Sequence, residues 1–253
     1  RAEEDLRKSE ASTLEALRQS DAMKSALLSS VSHELRTPLT AIKTMVFGLF
    51  SDGRMTSQVR SEFIESINQE IDYLNRLIDN LLDMSRIEAG TLVPQREWHL
   101  LEELIEGAIR RVGKGLKHRP LQVNLPANLP PIYVDGVGVQ QVLVNLLDNA
   151  VKFSPDGSSI RVLAALQAET VEVRVCNRGK GILEEDLERI FDRFYRSRDV
   201  RERSIPGTGL GLAICKGIIE AHGGHILAQS SPGEETIILF RLPLTAVLQT
   251  RAA

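Results

Sequence analysis

The first grouping in the chain able to do chemistry is a histidine with a carboxylate beside it and a hydroxyl one helical turn on: His33, Glu34 and Thr37. A neutral imidazole nitrogen is a nucleophile suited to a phosphoryl group, and its ordinary pKa of about 6.5 leaves it mostly neutral near pH 7. Glu34 could hold the other ring nitrogen and accept its proton as an N–P bond forms. Thr37 at i+4 and Arg36 at i+3 share the face of His33, and Thr37 could orient a water for the reverse, hydrolytic reaction. Pro38 falls inside the same helical pattern and removes the hydrogen bond to the carbonyl of Glu34.

A second grouping lies a hundred residues on. Gln141, Asn145, Asn149 and Lys152 fall at i, i+4, i+8 and i+11, one face of a helix whose other face is Leu143, Leu146, Leu147 and Ala150. Two carboxamides and an ammonium in line can hold Mg²⁺ and phosphate oxygens. Asn177-Arg178-Gly179-Lys180-Gly181-Ile182 follows a β-branched run, and its glycines let the backbone approach a planar base. Gly207-Thr208-Gly209-Leu210-Gly211-Leu212 leads into another helix, whose amides and N-terminus can cradle phosphates. It is neither a Walker loop nor a dinucleotide fingerprint, lacking Gly-Lys-Ser/Thr and the required glycine spacing.

These groups need two kinds of scaffold. From Leu28 the apolar positions Val31, Leu35, Ile42, Met45 and Leu49 approach a heptad stripe, which puts His33 on the solvent flank. Ser51-Asp52-Gly53 makes a turn, and Ile64, Ile67, Ile71, Leu74, Ile78 and Leu81 form a second stripe. The expected structure is an antiparallel helical hairpin that pairs with a second copy into a four-helix bundle, since a lone hairpin would expose its stripe. Past a linker, helices at 100–112, 136–152 and 208–222 interleave with antiparallel-looking strands at 121–125, 160–165, 171–176, 226–230 and 236–242. That predicts a multidomain chain, an all-α hairpin followed by an α/β two-layer sandwich. The boundaries expected are 1–26 for a helix from a missing sensor, 27–90 for the hairpin, 91–98 for the linker, 99–246 for the sandwich and 247–253 for a tail.

Ser32-His33-Glu34-Leu35-Arg36-Thr37-Pro38-Leu39 resembles the H-box of sensor histidine kinases of two-component systems. Asn145 to Ser154 resembles their N-box, Asn177 to Ile182 the first glycine box, Phe191 to Arg196 the F-box, and Gly207 to Leu212 the second glycine box, all in family order. The resemblance covers roughly residues 20–244 and implies a dimerisation and histidine-phosphoacceptor domain joined to an ATP-binding domain of the kind shared with gyrase, Hsp90 and MutL. It implies ATP and Mg²⁺ as cofactors. Asn149 is the implied metal ligand, with Asn145 and Lys152 near the phosphates and Phe153 beside them. Asn177, Gly179, Gly181 and Ile182 are implied around the base, and Arg193 and Arg196 as phosphate contacts. Gly207, Thr208, Gly209, Leu210 and Gly211 are implied in the phosphate loop, with 199–206 as a mobile lid. The implied activity is ATP-dependent autophosphorylation of His33, then transfer to an aspartate on a response-regulator receiver domain, with hydrolysis through Thr37 as an added output.

The chain departs from the family at Asn177, where the family has an Asp that accepts a hydrogen bond from the adenine amino group. Asn keeps one acceptor oxygen and replaces the other with an NH₂ donor. Three outcomes stay open: adenine accepted on the remaining oxygen, guanine accepted instead, or nucleotide binding lost, which would leave a kinase-impaired scaffold or a phosphatase-dominant core. Returning Asp at 177 is expected to raise nucleotide affinity. Composition narrows the partners: a net charge of −3 gives no nucleic-acid footprint, and no apolar run reaches the length of a membrane span. Two cysteines without metal spacing point to buried thiols in a reducing cytoplasmic setting, with membrane attachment of a longer protein left open.

Overall fold

The computed structural model describes residues 32, 34–50, 56–116, 119–202, 205, 207–230, 233 and 235–244. His33 and Val31, the turn at 51–53, the expected sensor helix at 1–26, Pro206 in the expected lid and the tail at 247–253 lie outside the described residues. Two compact units emerge, Arg1–Asp79 with Ile205–Thr208, and Asn80–Ser204 with Gly209–Ala253.

In the first unit, α1 runs through 34–50 and α2 is Ser57–Glu88, of which the part up to Asp79 belongs here. Thr56 starts α2, its hydroxyl accepting the Val59 N–H at 3.3 Å. The two helices are antiparallel, because contacts near the start of α1 reach late α2 and contacts near its end reach early α2. The Tyr73 hydroxyl donates to Glu34, and the Phe63 ring fills the space over Gly48, where a Cβ would lie 2.9 Å from it. The single apolar stripe read on α2 divides in two. Ile67, Leu74 and the buried Leu77 turn inward, whereas Ile64, Ile71 and Ile78, seven apart, are exposed. On α1, Pro38 is buried while Leu39, Val46, Phe47 and Phe50 stand in solvent. The hairpin thus buries one face and leaves a second apolar seam uncovered.

The second unit is a sandwich. Its sheet has the order β2-β4-β5-β7-β6, from β2 (Leu121–Asn124), β4 (Ile160–Gln167), β5 (Thr170–Arg178), β6 (His225–Gln229) and β7 (Glu235–Pro243). The central strands pair antiparallel, as expected, but β2 runs parallel to β4, so the sheet is mixed. Two short strands were not anticipated, β1 (Glu97–His99) at the end of the expected linker and β3 (Ile132–Val134), which pair with each other. Three amphipathic helices, α3 (Leu101–Val112), α4 (Gly136–Lys152) and α6 (Gly211–Ala221), supply the second layer. Val162, Val173, Val175, Phe240 and Leu242 meet Val142, Leu143, Leu146, Leu147, Ile214 and Ile218 in one core. Each such side chain contributes about 1.5–3 kcal/mol on burial. On the other sheet face Glu172 is buried between Arg174 and Arg241. Burial pushes its pKa up, but the hydrogen bonds from Arg241 and Arg174 outweigh that and hold the carboxyl below the usual range.

The last turns of α2, from Asn80, belong with the sandwich. Met84 is buried in its core, and Ile87 occupies a notch at Gly217, where a Cβ would lie 2.6 Å from its side chain. A fifth helix, α5 (Arg198–Glu202), falls where a lid without periodicity was expected.

Candidate nucleotide and phosphoacceptor site

On the hairpin, Glu34 and Thr37 lie on α1, with Thr37 exposed. The Tyr73 hydroxyl donates to a Glu34 carboxylate oxygen at 2.7 Å, which fixes that carboxylate against α2. Burial, then the hydrogen bond and charge of Glu34, push the Tyr73 pKa far above its ordinary value, so the phenol remains a donor at any physiological pH.

In the sandwich, α4 carries the polar face. Its start is capped by Asp135, whose carboxylate accepts the Gly138 N–H at 3.0 Å. The four residues read on that face take different work. Gln141 donates to Asp83 at 2.7 Å and so joins α4 to the end of α2. Asn145 donates to the Gly211 carbonyl at 3.4 Å, which ties α4 to the first residue of α6. Burial pushes the nearby Cys215 thiol up to about 12, opposed by the Asn145 side chain, and the thiol donates to the Val142 carbonyl at 3.9 Å; this cysteine is an inert core residue. Asn149 is half-buried, and its carboxamide has no hydrogen bond among the described residues, the condition a ligand-binding side chain should meet. Lys152 closes the helix with its ammonium 5.6 Å from the Phe153 ring centre. The Phe153 N–H ends the helix on the Asn149 carbonyl at 2.9 Å.

The base-side loop leaves the end of β5. Asn177 is buried, and its Nδ2 donates to Ser154 Oγ at 3.0 Å. Gly179 presses against α4: a Cβ there would stand 2.4 Å from the Phe153 carbonyl oxygen, so no other residue fits. Gly181 has φ +80°, open to glycine at little cost. The Ile182 N–H donates to Ser230 Oγ at 3.0 Å, and Lys180 pairs with Asp199 of α5 at 2.6 Å, joining this loop to its neighbours.

In the F-box, Phe191 is buried and Arg193 forms an ion pair with Glu88 at 2.7 Å. The carboxylate of α2 thus engages the guanidinium expected on phosphate. The Phe194 N–H donates to the Gly209 carbonyl at 3.0 Å. Gly209 has φ +74°, and a Cβ there would meet Phe194 backbone at 2.8 Å, so the second glycine box is clamped against the F-box. Leu210 is fully buried, and α6 starts at Gly211 with no side-chain cap, leaving its first-turn amides to accept an anion. Gly207 and Thr208, from the same motif, fall in the first unit.

The sandwich therefore brings together Asn145, Asn149, Lys152, Phe153, Asn177, Gly179, Gly181, Ile182, Gly209, Leu210 and Gly211 along α4, the end of β5 and the start of α6. An apolar hollow of about 490 Å³ lined by Trp98, Pro130, Pro131 and Leu244 contains none of them. Three contributors were not read from the sequence. Ser154 stood inside a quoted motif without a role. Arg119 lies outside every motif, yet its guanidinium donates to the Ser154 carbonyl at 3.1 Å and to Asp156 at 3.0 Å, pinning the turn after α4. Tyr73 was passed over as an ordinary helix residue, and only the fold places it beside Glu34.

Comparison with known proteins bears on these motifs. The His Kinase A (phospho-acceptor) domain model matches residues 23–90, and the model for histidine kinase-, DNA gyrase B- and HSP90-like ATPases matches residues 134–246. The sensor protein KdpD of Clostridium acetobutylicum is 38% identical over 222 residues, 87% of this chain and 25% of that protein. The chain thus spans about a quarter of that relative's length. Full-length ShkA, solved in complex with AMPPNP, superposes with a TM-score of 0.62 at 26% identity over 85% of this chain and 45% of its own. Histidine kinase ThkA, solved in complex with the response regulator protein TrrA, gives 0.61 at 23% identity over 90% of this chain and 64% of its own, a likeness of fold. A phosphoacceptor hairpin followed by an ATPase-type sandwich defines the catalytic core of a phosphotransfer signalling protein. The chain belongs to the sensor histidine kinases of two-component systems.

Proposed function

We propose that this chain binds Mg²⁺·ATP in its sandwich, transfers the γ-phosphoryl group to His33, and passes it on to an aspartate of a response-regulator receiver domain. The observation that carries the nucleotide half is the junction of α4, β5 and α6. There a half-buried Asn149 whose carboxamide has no partner among the described residues, the first turn of α6 without a side-chain cap among them, and a Gly179 backbone packed against α4 lie on one unit. Asn149 would hold the metal, Lys152 and the α6 amides the phosphates, and Asn177 with Gly179, Gly181 and Ile182 the base. Mg²⁺ supplies charge neutralisation on the phosphate oxygens, and catalysis of this class rests mostly on positioning. The AMPPNP in ShkA and the ATPase-model match over residues 134–246 support a nucleotide as ligand.

At the acceptor, the neutral His33 imidazole attacks, and Glu34 takes the proton from its other ring nitrogen. Tyr73 holds the Glu34 carboxylate in place for that task. Thr37, exposed at i+4 from His33, orients water for the reverse hydrolysis. The exposed seam of Leu39, Val46, Phe50, Ile64, Ile71 and Ile78 is covered by the same seam of a second copy, giving a homodimeric four-helix bundle. The regulator docks on the bundle beside His33. The test is incubation with γ-labelled ATP and Mg²⁺: the chain becomes labelled and transfers label to a receiver domain, while His33→Gln binds ATP equally but takes none. Equal labelling of His33→Gln would sink the assignment.

A further inference from the structure

We infer that Ser154 is a positioning residue that locks the Asn177 carboxamide in one orientation, and that this lock makes the site select a 6-amino purine over a 6-oxo purine. The inference rests on the nucleotide reading above and sharpens it.

Two hydrogen bonds fix the orientation by elimination. Ser154 Oγ donates to the Ala150 carbonyl at 2.5 Å, one turn back along α4. A carbonyl oxygen can only accept, so the single hydroxyl proton of Ser154 is committed there. Toward Asn177 the same Oγ can then only accept, and the atom 3.0 Å away must be the NH₂ of the carboxamide. The alternative amide orientation would set two acceptors against each other in a buried place, since Asn177 and Ser154 are 7% and 9% exposed. The Gly179 backbone closes the same side, a Cβ there falling 3.6 Å from Nδ2. Ser154 is itself held, because Arg119 donates to its carbonyl at 3.1 Å and to Asp156 of the following turn at 3.0 Å. Serine position, hydroxyl direction and amide direction thus form one chain of constraints from Arg119 to Asn177.

The consequence is a carboxamide whose acceptor, Oδ1, is fixed on the side away from Ser154, with one of its two N–H groups spent on Ser154 Oγ. Asn177 Oδ1 matches the exocyclic amino group of adenine. A 6-oxo purine would set its carbonyl oxygen against Oδ1, and the lock keeps Nδ2 from exchanging places with Oδ1 to donate there. Of the three outcomes open for Asn177, the lock selects adenine and disfavours guanine. It also changes the meaning of Asn177→Asp: a carboxylate would face Ser154 Oγ with an acceptor and bond it only if the hydroxyl abandons Ala150, so part of the gain in charge is offset.

The test uses the full chain carrying His33→Gln, which prevents turnover, and calorimetric titration with Mg²⁺ and ATP, ITP or GTP. ITP differs from ATP only in its 6-oxo, N1-protonated base edge. ATP is expected to bind at least about ten-fold more tightly than ITP or GTP, the cost of one opposed buried acceptor pair. Ser154→Ala frees the amide to turn and should bring the ATP/ITP ratio below about three-fold, a change that loss of structure alone, lowering both affinities together, does not produce. Ser154→Thr keeps the hydroxyl and should restore the ratio. A ratio near one before any Ser154 change, or a ratio unchanged in Ser154→Ala, overturns the inference while leaving nucleotide binding intact. Binding of none of the three overturns the nucleotide reading and the lock with it. Should Ser154→Ala fail to fold, the ratio measured without it decides, because an unlocked amide predicts a value near one.

Discussion

Tyr73 and Glu34 illustrate what single residues contribute on the hairpin. The phenol stays protonated, and at 2.7 Å it holds the carboxylate proposed to receive the His33 proton. Tyr73→Phe is expected to leave ATP affinity within about two-fold and to slow His33 labelling about ten-fold, the scale of one hydrogen bond to a charged group. Labelling at an undiminished rate would show that Glu34 needs no such support. Arg193, which the F-box resemblance assigned to phosphate, forms an ion pair with Glu88. Both partners are near half exposed, so the pair is worth at most about 1 kcal/mol and an incoming phosphate can displace it.

Elements hold the nucleotide side together through close approaches and one buried histidine. Gly179→Ala would place a methyl 2.4 Å from the Phe153 carbonyl and must push the β5 loop away from α4. The expected result is at least about a ten-fold loss of ATP affinity with the sandwich still folded, read by calorimetry beside a thermal melt. His222, at the end of α6, accepts the Asp135 N–H on Nε2 at 2.9 Å, and its Nδ1 lies 2.7 Å from the Ile218 carbonyl. A neutral ring carrying its proton on Nδ1 satisfies both contacts. Burial lowers its pKa; the Ile218 carbonyl opposes this, Arg96 adds to it and Asp135 opposes it, with a net shift below the ordinary value. The unfolded chain therefore binds this proton first on acidification. The stability from the neutral ring is present above the ordinary value of about 6.5 and is lost as pH falls below it toward the folded value. Urea midpoints should drop between pH 7 and pH 5, and His222→Gln, less stable at pH 7, should show a smaller drop. An equal drop in both proteins would assign the acid sensitivity elsewhere.

At the scale of the molecule, one chain leaves Ile64, Ile71 and Ile78 exposed along α2 and Leu39, Val46 and Phe50 along α1. Such a continuous seam on a folded element calls for a partner, and a self-complementary seam on a hairpin suits a twofold dimer. Ile71→Asp is expected to shift the chain from dimer to monomer in light scattering without abolishing ATP binding, since the sandwich has its own core. A dimer that survives a charge at the centre of the seam would place the interface on another surface. Among the described residues no helix is long and apolar enough to cross a membrane.

The motifs and their order were legible in the sequence, because the chemistry demands particular side chains at helical spacing or next to glycine, and that demand is local. The same holds for the hairpin and for most sandwich strands, whose periodicities of 3.6 and 2 reflect one buried face each. Pairing across distant segments was not legible. The parallel β2–β4 pair and the β1–β3 pair depend on where loops return the chain, and the division of the α2 stripe into buried and exposed halves depends on which face meets α1. Asn177 marks the same boundary within the site. Its residue type left adenine, guanine and weakened or lost nucleotide binding open. The direction of its amide is set by Ser154, 23 residues away, and by Arg119, a further 35 away, which only the folded chain brings to one place. A hydrogen bond's direction is a property of all its partners at once, and sequence spacing records none of those that lie on other elements.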